Sequence, residues 1–150
     1  MKKGLYILVP VLFFVIISYL LPNEKVTTET VSVPMPVDAV TRVMTNQQEW
    51  AKWFPGTKKN DSTYLYYEAP ITIHKVLMNG FKATMINKDM NISLDFSFIA
   101  GKNARTDFTL NTVMKLSFNP ILRFKQFLSL NAAEDDSKRL LYQIQDYFSD

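Results

Sequence analysis

The chain has 150 residues, of which 47% are hydrophobic and 13% aromatic, and this length suits one well-packed domain rather than two. Its formal net charge is +3, but setting Lys2 and Lys3 aside from the 17 basic residues leaves 15 against 14 acidic ones, so the composition argues against a nucleic-acid-binding surface. With no cysteine and a single histidine, His74, the sequence excludes disulfides, thiol chemistry and multi-histidine metal sites.

The amino-terminal segment is the most hydrophobic part of the chain. Leu5–Leu21, LYILVPVLFFVIISYLL, carries no charge and follows Lys2 and Lys3 directly. A cleavable signal peptide has a shorter apolar stretch, of about 7–15 residues, and an A-x-A-like cleavage site, which is absent here. The sequence therefore favours a retained single-pass membrane anchor over a cleaved signal, at the short end of the roughly 17–25 residues that cross a bilayer.

The charges that flank this run predict an orientation. The lysine pair precedes the run, whereas Lys25 on the other side is offset by Glu24 and Glu29. The positive-inside bias then places the amino terminus in the cytoplasm and the rest on the extracytoplasmic, periplasmic side. On this interpretation residues 1–25 form the anchor and a short linker, and residues 26–150 form the domain.

Past the anchor, the sequence predicts one strand and a first short helix. Alternation of apolar and polar residues predicts a strand over about Thr28–Val33, which the following prolines end. Helical spacing of apolar residues predicts a helix between Pro36 and Asn46, with the proline well suited to its start.

A second short helix is predicted over Gln47–Trp53, closed by Pro55-Gly56. It carries Trp50 and Trp53, the only tryptophans of the chain, and Phe54 follows the second. The three aromatic side chains therefore lie together beside a loop.

From Ser62 the hydrophobic period changes to two, which is typical of strands. Five strands are predicted: STYLYYEA, ITIHKVLM, FKATMIN, MNISLDFSFI and ARTDFTLNTVMKLS. Turns are predicted at Ala69-Pro70, Asn79-Gly80, Lys88-Asp89 and Gly101-Lys102-Asn103. The strongest is Asn79-Gly80, because a two-residue hairpin favours residues that tolerate positive φ. The last two strands predict an apolar face made of Met90, Ile92, Leu94, Phe96, Phe98, Phe108, Leu110, Met114 and Leu116.

The carboxyl-terminal stretch predicts an apolar segment, an acidic break and a final amphipathic helix. Pro120 opens NPILRFKQFLSL, AEDD follows, and SKRLLYQIQDYF places apolar side chains on one helical face. That face consists of Leu140, Leu141, Ile144, Tyr147 and Phe148. Because such a helix needs an apolar partner, it is predicted to pack on the apolar face of the sheet.

This order of elements resembles the START/Bet v 1-like superfamily, also called SRPBCC or polyketide cyclase-like. The resemblance is carried by TTETVSVPMPVDAVTRVMTNQQEWAKWFPG, ARTDFTLNTVMKLS, NPILRF and LLYQIQDYF, and the lysine pair and hydrophobic segment resemble a membrane-anchored variety of the family. It implies an α+β helix-grip fold, in which a curved antiparallel sheet wraps around a C-terminal helix. The chain departs from the family in its six predicted strands, where seven are usual, and in lacking a glycine-rich run after Gly56.

The resemblance also implies a cavity for an apolar ligand between the sheet and the terminal helix. The residues expected to line it are Trp50, Trp53, Phe54, Met85, Ile92, Leu94, Phe96, Phe108, Leu110, Met114, Leu141 and Ile144. Trp50, Trp53 and Phe54 suit either the entrance of this cavity or a plug of core side chains, and both interpretations stay open. For the methionines, including Met90, core packing is favoured.

The sequence offers no catalytic constellation, and no metal or cofactor is predicted. His74 lies in ITIHKVL without a serine or carboxylate in a recognisable relation to it, which favours a surface or hydrogen-bonded histidine over a catalytic base. Asp95 and Asp107 can face each other on adjacent strands, but alternation points both outward.

Three classes of function follow. The leading one is a membrane-tethered, non-enzymatic domain that binds a lipid or another hydrophobic small molecule. The alternatives are a cyclase- or hydrolase-like enzyme of the same superfamily and a filled-core structural or partner-binding module. An open cavity would favour the first two classes, and a closed core would favour the third.

Overall fold

The computed structural model describes residues 2–149, with side chains from residue 8 onward. Its elements are α1 (Lys2–Leu20), β1 (Glu24–Val33), α2 (Val37–Thr45), α3 (Trp50–Trp53), β2 (Thr57–Lys58), β3 (Thr63–Tyr66), β4 (Ala69–Leu77), β5 (Gly80–Asn87), β6 (Met90–Ala100), β7 (Thr106–Lys115) and α4 (Pro120–Ser149). The lysine pair and the first residues of the uncharged run lie outside the described side chains. Within the described part of the chain, none of the helices combines the length and the hydropathy needed to cross a membrane.

The strands form one antiparallel sheet in the order β1-β7-β6-β5-β4-β3-β2. β1 closes the sheet against the last strand, in a register that runs from Glu24 opposite Lys115 to Val33 opposite Thr106. α4 lies against the inner face, where Leu140, Leu141 and Ile144 are fully buried. This arrangement confirms the predicted α+β fold, with a curved antiparallel sheet around a carboxyl-terminal helix.

The predicted face assignment of the last two strands is confirmed. The nine apolar residues that share a face in β6, β7 and the residue just beyond β7 are all 7% exposed or less. Phe81, Phe96 and Leu110 stand in register across β5, β6 and β7, and so do Met85, Ile92 and Met114. These rows form the floor on which α4 packs.

Two predictions about the ends of the domain are wrong. The sheet has a further strand, β2, which pairs Thr57 with Leu65 and Lys58 with Tyr64. Two polar residues give no periodicity, so the sequence pattern did not indicate it. AEDD is not a break, because α4 continues through it as one helix of 30 residues. The acidic side chains face outward there, and Glu134 is held by Lys138 one turn later.

The turns differ from their sequence signals in their backbone conformation. The described part of the chain has no glycine with positive φ, and β4 and β5 are joined through Met78 and Asn79. Glycine is required at position 80, the first residue of β5, because a Cβ there would lie 1.9 Å from the backbone oxygen of Phe96. The close approach of the two backbones, rather than the turn geometry, therefore excludes a side chain. Positive φ values occur at Tyr67 and Glu68, 44° and 70°, in the turn before Ala69, and also at Lys88, Asn103 and Ala104, in or beside two of the predicted turns.

Asp95 and Asp107, which the sequence allows to face each other, lie at different positions of the register. The register places Asp95 opposite Asn111, and Asp107 lies opposite Ile99. Asp95 accepts a hydrogen bond from Lys82 at 2.8 Å on the outer face of the sheet. The carboxylates therefore do not form a pair.

An ionic network fastens β1 to the middle of α4. Lys25 and Lys138 lie 2.5 Å and 2.8 Å from the carboxylate of Glu134, and Lys138 also reaches Glu29 at 2.9 Å. Hydrogen bonds from Lys138 and then from Lys25 lower the pKa of Glu134 below its usual value. The network links the first strand to the last helix.

Glu134→Gln should therefore destabilise the protein in a pH-dependent way. Because the folded-state pKa of Glu134 is depressed, its contribution is complete above the unfolded pKa and is lost as the pH falls through the folded pKa. Urea titrations of wild type and variant should give a lower midpoint for the variant at neutral pH and converge in acid. Asp135→Asn, at the exposed neighbouring position, is the control. A difference that is the same at both pH values would contradict this role.

Candidate ligand site at the aromatic end of the core

The two tryptophans lie inside the core, at the end of the sheet that α3 covers. Trp50 is fully buried, and its indole Nε1 donates a hydrogen bond to the backbone oxygen of Met44 at 2.7 Å. This bond fixes α3 to the end of α2. Trp53 and Phe54 are 2% and 4% exposed, so all three predicted residues of this stretch point inward.

Rings from six elements meet there in one aromatic cluster, defined as Trp50, Trp53, Phe54, Tyr64, Phe81, Phe96, Phe108 and Phe148. Trp50 contacts Trp53 edge-to-face at a centroid distance of 5.9 Å. Phe81 and Phe96 stack at 4.4 Å, and Phe54 lies 4.7 Å from Tyr64. Phe148, near the end of α4, lies 6.3 Å from Trp53 and 5.7 Å from Phe108. Such pairs stabilise the core beyond the area they bury.

The structure brings the twelve predicted lining residues into one continuous core, each 4% exposed or less. Five of them, Trp50, Trp53, Phe54, Phe96 and Phe108, belong to the aromatic cluster. The others extend from it along the sheet and the facing side of α4: Met85, Ile92, Leu94, Leu110, Met114, Leu141 and Ile144. The site residues predicted from the sequence are therefore core neighbours in this conformation.

Open space lies elsewhere on the described chain. A cavity of about 130 Å³ lies between the turn from β5 to β6 and the middle of α4, beside Asp89 and Gln126. A groove of about 580 Å³ lies between Lys25 and Leu128, where β1 starts beside the first half of α4. None of the twelve residues lines either of these spaces.

Several buried polar atoms have no hydrogen-bond partner among the described residues. They are Trp53 Nε1 and the Tyr64 hydroxyl in the aromatic cluster, the Tyr66 hydroxyl two residues further along β3, Gln143 Oε1 on α4 and, at the other end of α4, Arg123 Nε. A buried polar group without a partner costs about 1–3 kcal/mol. Two of these atoms, on Trp53 and Tyr64, belong to the aromatic cluster, which makes that end of the core the candidate ligand site.

Burial also shifts the ionisation of both tyrosines. It raises the pKa of Tyr64. It also raises the pKa of Tyr66 to about 12, and smaller effects on that pKa come from Arg139, which lowers it, and from Asp136, which raises it. Both phenols stay protonated at neutral pH, so each can donate one hydrogen bond and accept another.

Sequence reasoning missed Tyr64, Tyr66 and Gln143. The period of two in STYLYYEA places the tyrosines on one face, which is a usable signal. No signal in the sequence indicates Gln143, because its place beside the buried face of α4 depends on how the helix is rotated against the sheet.

The prediction for His74 is confirmed. It is exposed, and its Nε2 lies 2.9 Å from Thr84 Oγ1 on the outer face of the sheet. It lies away from the aromatic cluster. In the part of the chain that the structure describes, no group of histidine, cysteine, aspartate or glutamate residues is placed to hold a metal ion.

Solved structures share this architecture. Ara h 8.0201 matches with a TM-score of 0.52 and 9% identity, over 83% of this chain and 97% of that one. The Zhui aromatase/cyclase from Streptomyces sp. R1128 matches with a TM-score of 0.51 and 13% identity, over 83% of this chain and 93% of that one. The di-domain ARO/CYC StfQ of the steffimycin biosynthetic pathway matches with a TM-score of 0.55 and 6% identity, over 83% of this chain and 50% of that one.

These likenesses show that the chain has the fold that its sequence resemblance implied, that of Ara h 8.0201 and of aromatase/cyclases. Identities this low establish the fold alone, because one fold hosts many functions. No family profile matches the chain, and no curated protein matches it by sequence.

Tyr64→Phe tests whether the unpartnered hydroxyl is a cost in the ligand-free protein. Removing it should raise the free energy of unfolding by about 1 kcal/mol, because the desolvation penalty disappears while the ring packing remains. Urea unfolding of the ligand-free protein measures this. Tyr142→Phe, at a position 48% exposed, should change nothing. A destabilised Tyr64→Phe protein would mean that the hydroxyl already has a partner.

Proposed function

We propose that the chain is a membrane-tethered, non-enzymatic member of the START/Bet v 1-like superfamily that binds an apolar small molecule at the aromatic end of its core. The observation that carries the proposal is the set of buried, unpartnered atoms on Trp53, Tyr64 and Tyr66. The fold supports it by analogy, since a curved sheet around a helix is also the scaffold of the aromatase/cyclases named above.

The ligand's chemistry follows from these side chains. Aromatic rings favour a flat or unsaturated apolar body. An indole N–H and two protonated phenols favour hydroxyl or carbonyl oxygens at its edge. An oxygen-bearing aromatic molecule or a lipid with a polar head satisfies both conditions.

Binding requires the aromatic end to open, because every ring of the aromatic cluster is 4% exposed or less. α3 is a single turn of four residues without a side-chain cap, and its neighbour β2 has two residues. Elements this small have few hydrogen bonds to lose on opening. The site would open at this end while the sheet and α4 stay in place.

A filled-core partner-binding module is the second candidate. The twelve expected lining residues are all buried against one another, which is the arrangement that this alternative predicts. An enzyme of the superfamily has less support, because the histidine lies on the outer face.

Tryptophan fluorescence of the full chain in detergent should decide between the two candidates. Naphthol should change the emission, because Trp53 lies at the site, and naphthalene should bind more weakly for want of an oxygen. Tyr64→Phe and Tyr66→Phe should each weaken naphthol binding about tenfold, which corresponds to one hydrogen bond of about 1.4 kcal/mol. Tyr142→Phe is the matched control.

If naphthol, naphthalene and a fatty acid all leave the tryptophan emission unchanged, the ligand-binding proposal is rejected in favour of the filled core. Equal binding of naphthol and naphthalene would retain the pocket and reject the role of the tyrosines.

The membrane tether is the second part of the proposal. Leu5–Leu21 carries no charge, and the described side chains of α1 include Leu8, Leu12 and Phe13, exposed by 64%, 58% and 64%. An apolar helix surface of this extent requires a contact that shields it from water, and the sequence favours lipid as that contact. The amino terminus would lie in the cytoplasm and the domain on the extracytoplasmic side.

Cell fractionation tests the tether. The full chain should stay with membranes after extraction in high salt and in carbonate, and protease added from the outer side should digest the domain. Leu12→Arg should release part of the chain, whereas Met78→Arg, at an exposed apolar position in a turn, should not. A mature chain that begins beyond Leu21 would refute the anchor, and protection of the domain in spheroplasts would refute the orientation.

A further inference from the structure

The residues just before α4 and the first half of α4 carry exposed apolar side chains beside the point where α1 joins the domain. Phe118, Ile121 and Leu128 are 83%, 71% and 68% exposed. Isolated exposed apolar residues are ordinary, but a contiguous group marks a contact surface. These three residues are called the α4 apolar surface below.

This surface is continuous with α1. The rings of Phe14 and Phe124 meet edge-to-face at 5.4 Å. Ser18 Oγ donates to the backbone oxygen of Pro120 at 2.9 Å, and the Tyr19 hydroxyl donates to that of Phe118 at 3.2 Å. Later residues of α1 contact earlier residues in and just before α4, so the two helices pack antiparallel.

A buried arginine fixes this arrangement. Arg123 is 1% exposed, and its Nη2 donates to the backbone oxygens of Leu21 and Pro22 at 2.6 Å and 3.1 Å and to Asn23 Oδ1 at 2.7 Å. Its Nη1 donates to the backbone oxygen of Ser117 at 3.4 Å. The whole connection between α1 and β1 is thereby held on the first turn of α4.

The rigid connection ties the position of α4 in the membrane to that of α1. Because the rings of Phe14 and Phe124 are in contact, lipid that covers α1 also reaches the first turns of α4.

The first half of α4 carries no acidic residue, since none occurs between Asp107 and Glu134. Its basic side chains are already paired or buried, because Lys125 is held by Asp89 and Arg123 is 1% exposed. This part of α4 therefore offers an apolar contact rather than an electrostatic one.

We infer that the start of α4, together with the residues just before it, forms a second membrane contact, with Phe118, Ile121 and Leu128 inserted into the lipid interface beside α1. The inference rests on the proposed tether. It places the domain in one fixed orientation on the bilayer, with the turn of Met78 and Asn79 at the far end of the sheet.

Site-specific labelling tests this contact directly, because the chain has no native cysteine. The full chain with Leu128→Cys would carry the environment-sensitive dye NBD in vesicles of phosphatidylcholine and phosphatidylglycerol, some made with nitroxide-labelled lipid. Nitroxide should quench the dye at least twofold. Met78→Cys is the matched control, since Met78 is an apolar residue 90% exposed at the opposite end, and its dye should not be quenched.

The outcomes separate the inference from the tether. Chains that float with the vesicles while both dyes stay unquenched would overturn the second contact and leave the tether intact. Chains that do not float would overturn both. Quenching of both dyes to the same extent would overturn the fixed orientation.

Discussion

The burial of one side of α4 in the curve of the sheet is the interaction on which the other features depend. Apolar side chains from Leu130 to Phe148 are buried along it, and each full burial stabilises by about 1.5–3 kcal/mol, against a typical total of 5–15 kcal/mol. The same helix holds β1 through Glu134 and the α1 connection through Arg123. Its two ends therefore position the candidate ligand site, near Phe148, and the proposed membrane contact, near Pro120.

The packing that stabilises the domain also explains why we propose a site at the aromatic end. The middle of the core is apolar and complete, whereas Trp53, Tyr64 and Tyr66 bring polar atoms to a place where the ligand-free chain gives them no partner. Stability alone would favour phenylalanine at those tyrosines. Retaining a costly polar group is typical of positions where function and stability compete.

Much of this architecture was predictable from the sequence, because a period of two reports which face of a strand is buried. This period assigned the alternating apolar residues of Met90–Phe98 and Phe108–Leu116 to the core, and helical spacing predicted α2. What it missed depends on three-dimensional contact. Gly80 is required by the backbone of Phe96, β2 exists only as a partner of β3, and Gln143 is placed by the rotation of α4 against the sheet.

Native mass spectrometry of the full chain, released from detergent after mild purification, tests the central claim most directly. The account predicts a fraction of the protein with an added small-molecule mass, and Tyr64→Phe together with Tyr66→Phe should reduce that fraction while Tyr142→Phe does not. A bare mass for the wild type, even after incubation with the lipid extract of its host, would contradict the ligand site and leave a domain whose core is complete without one.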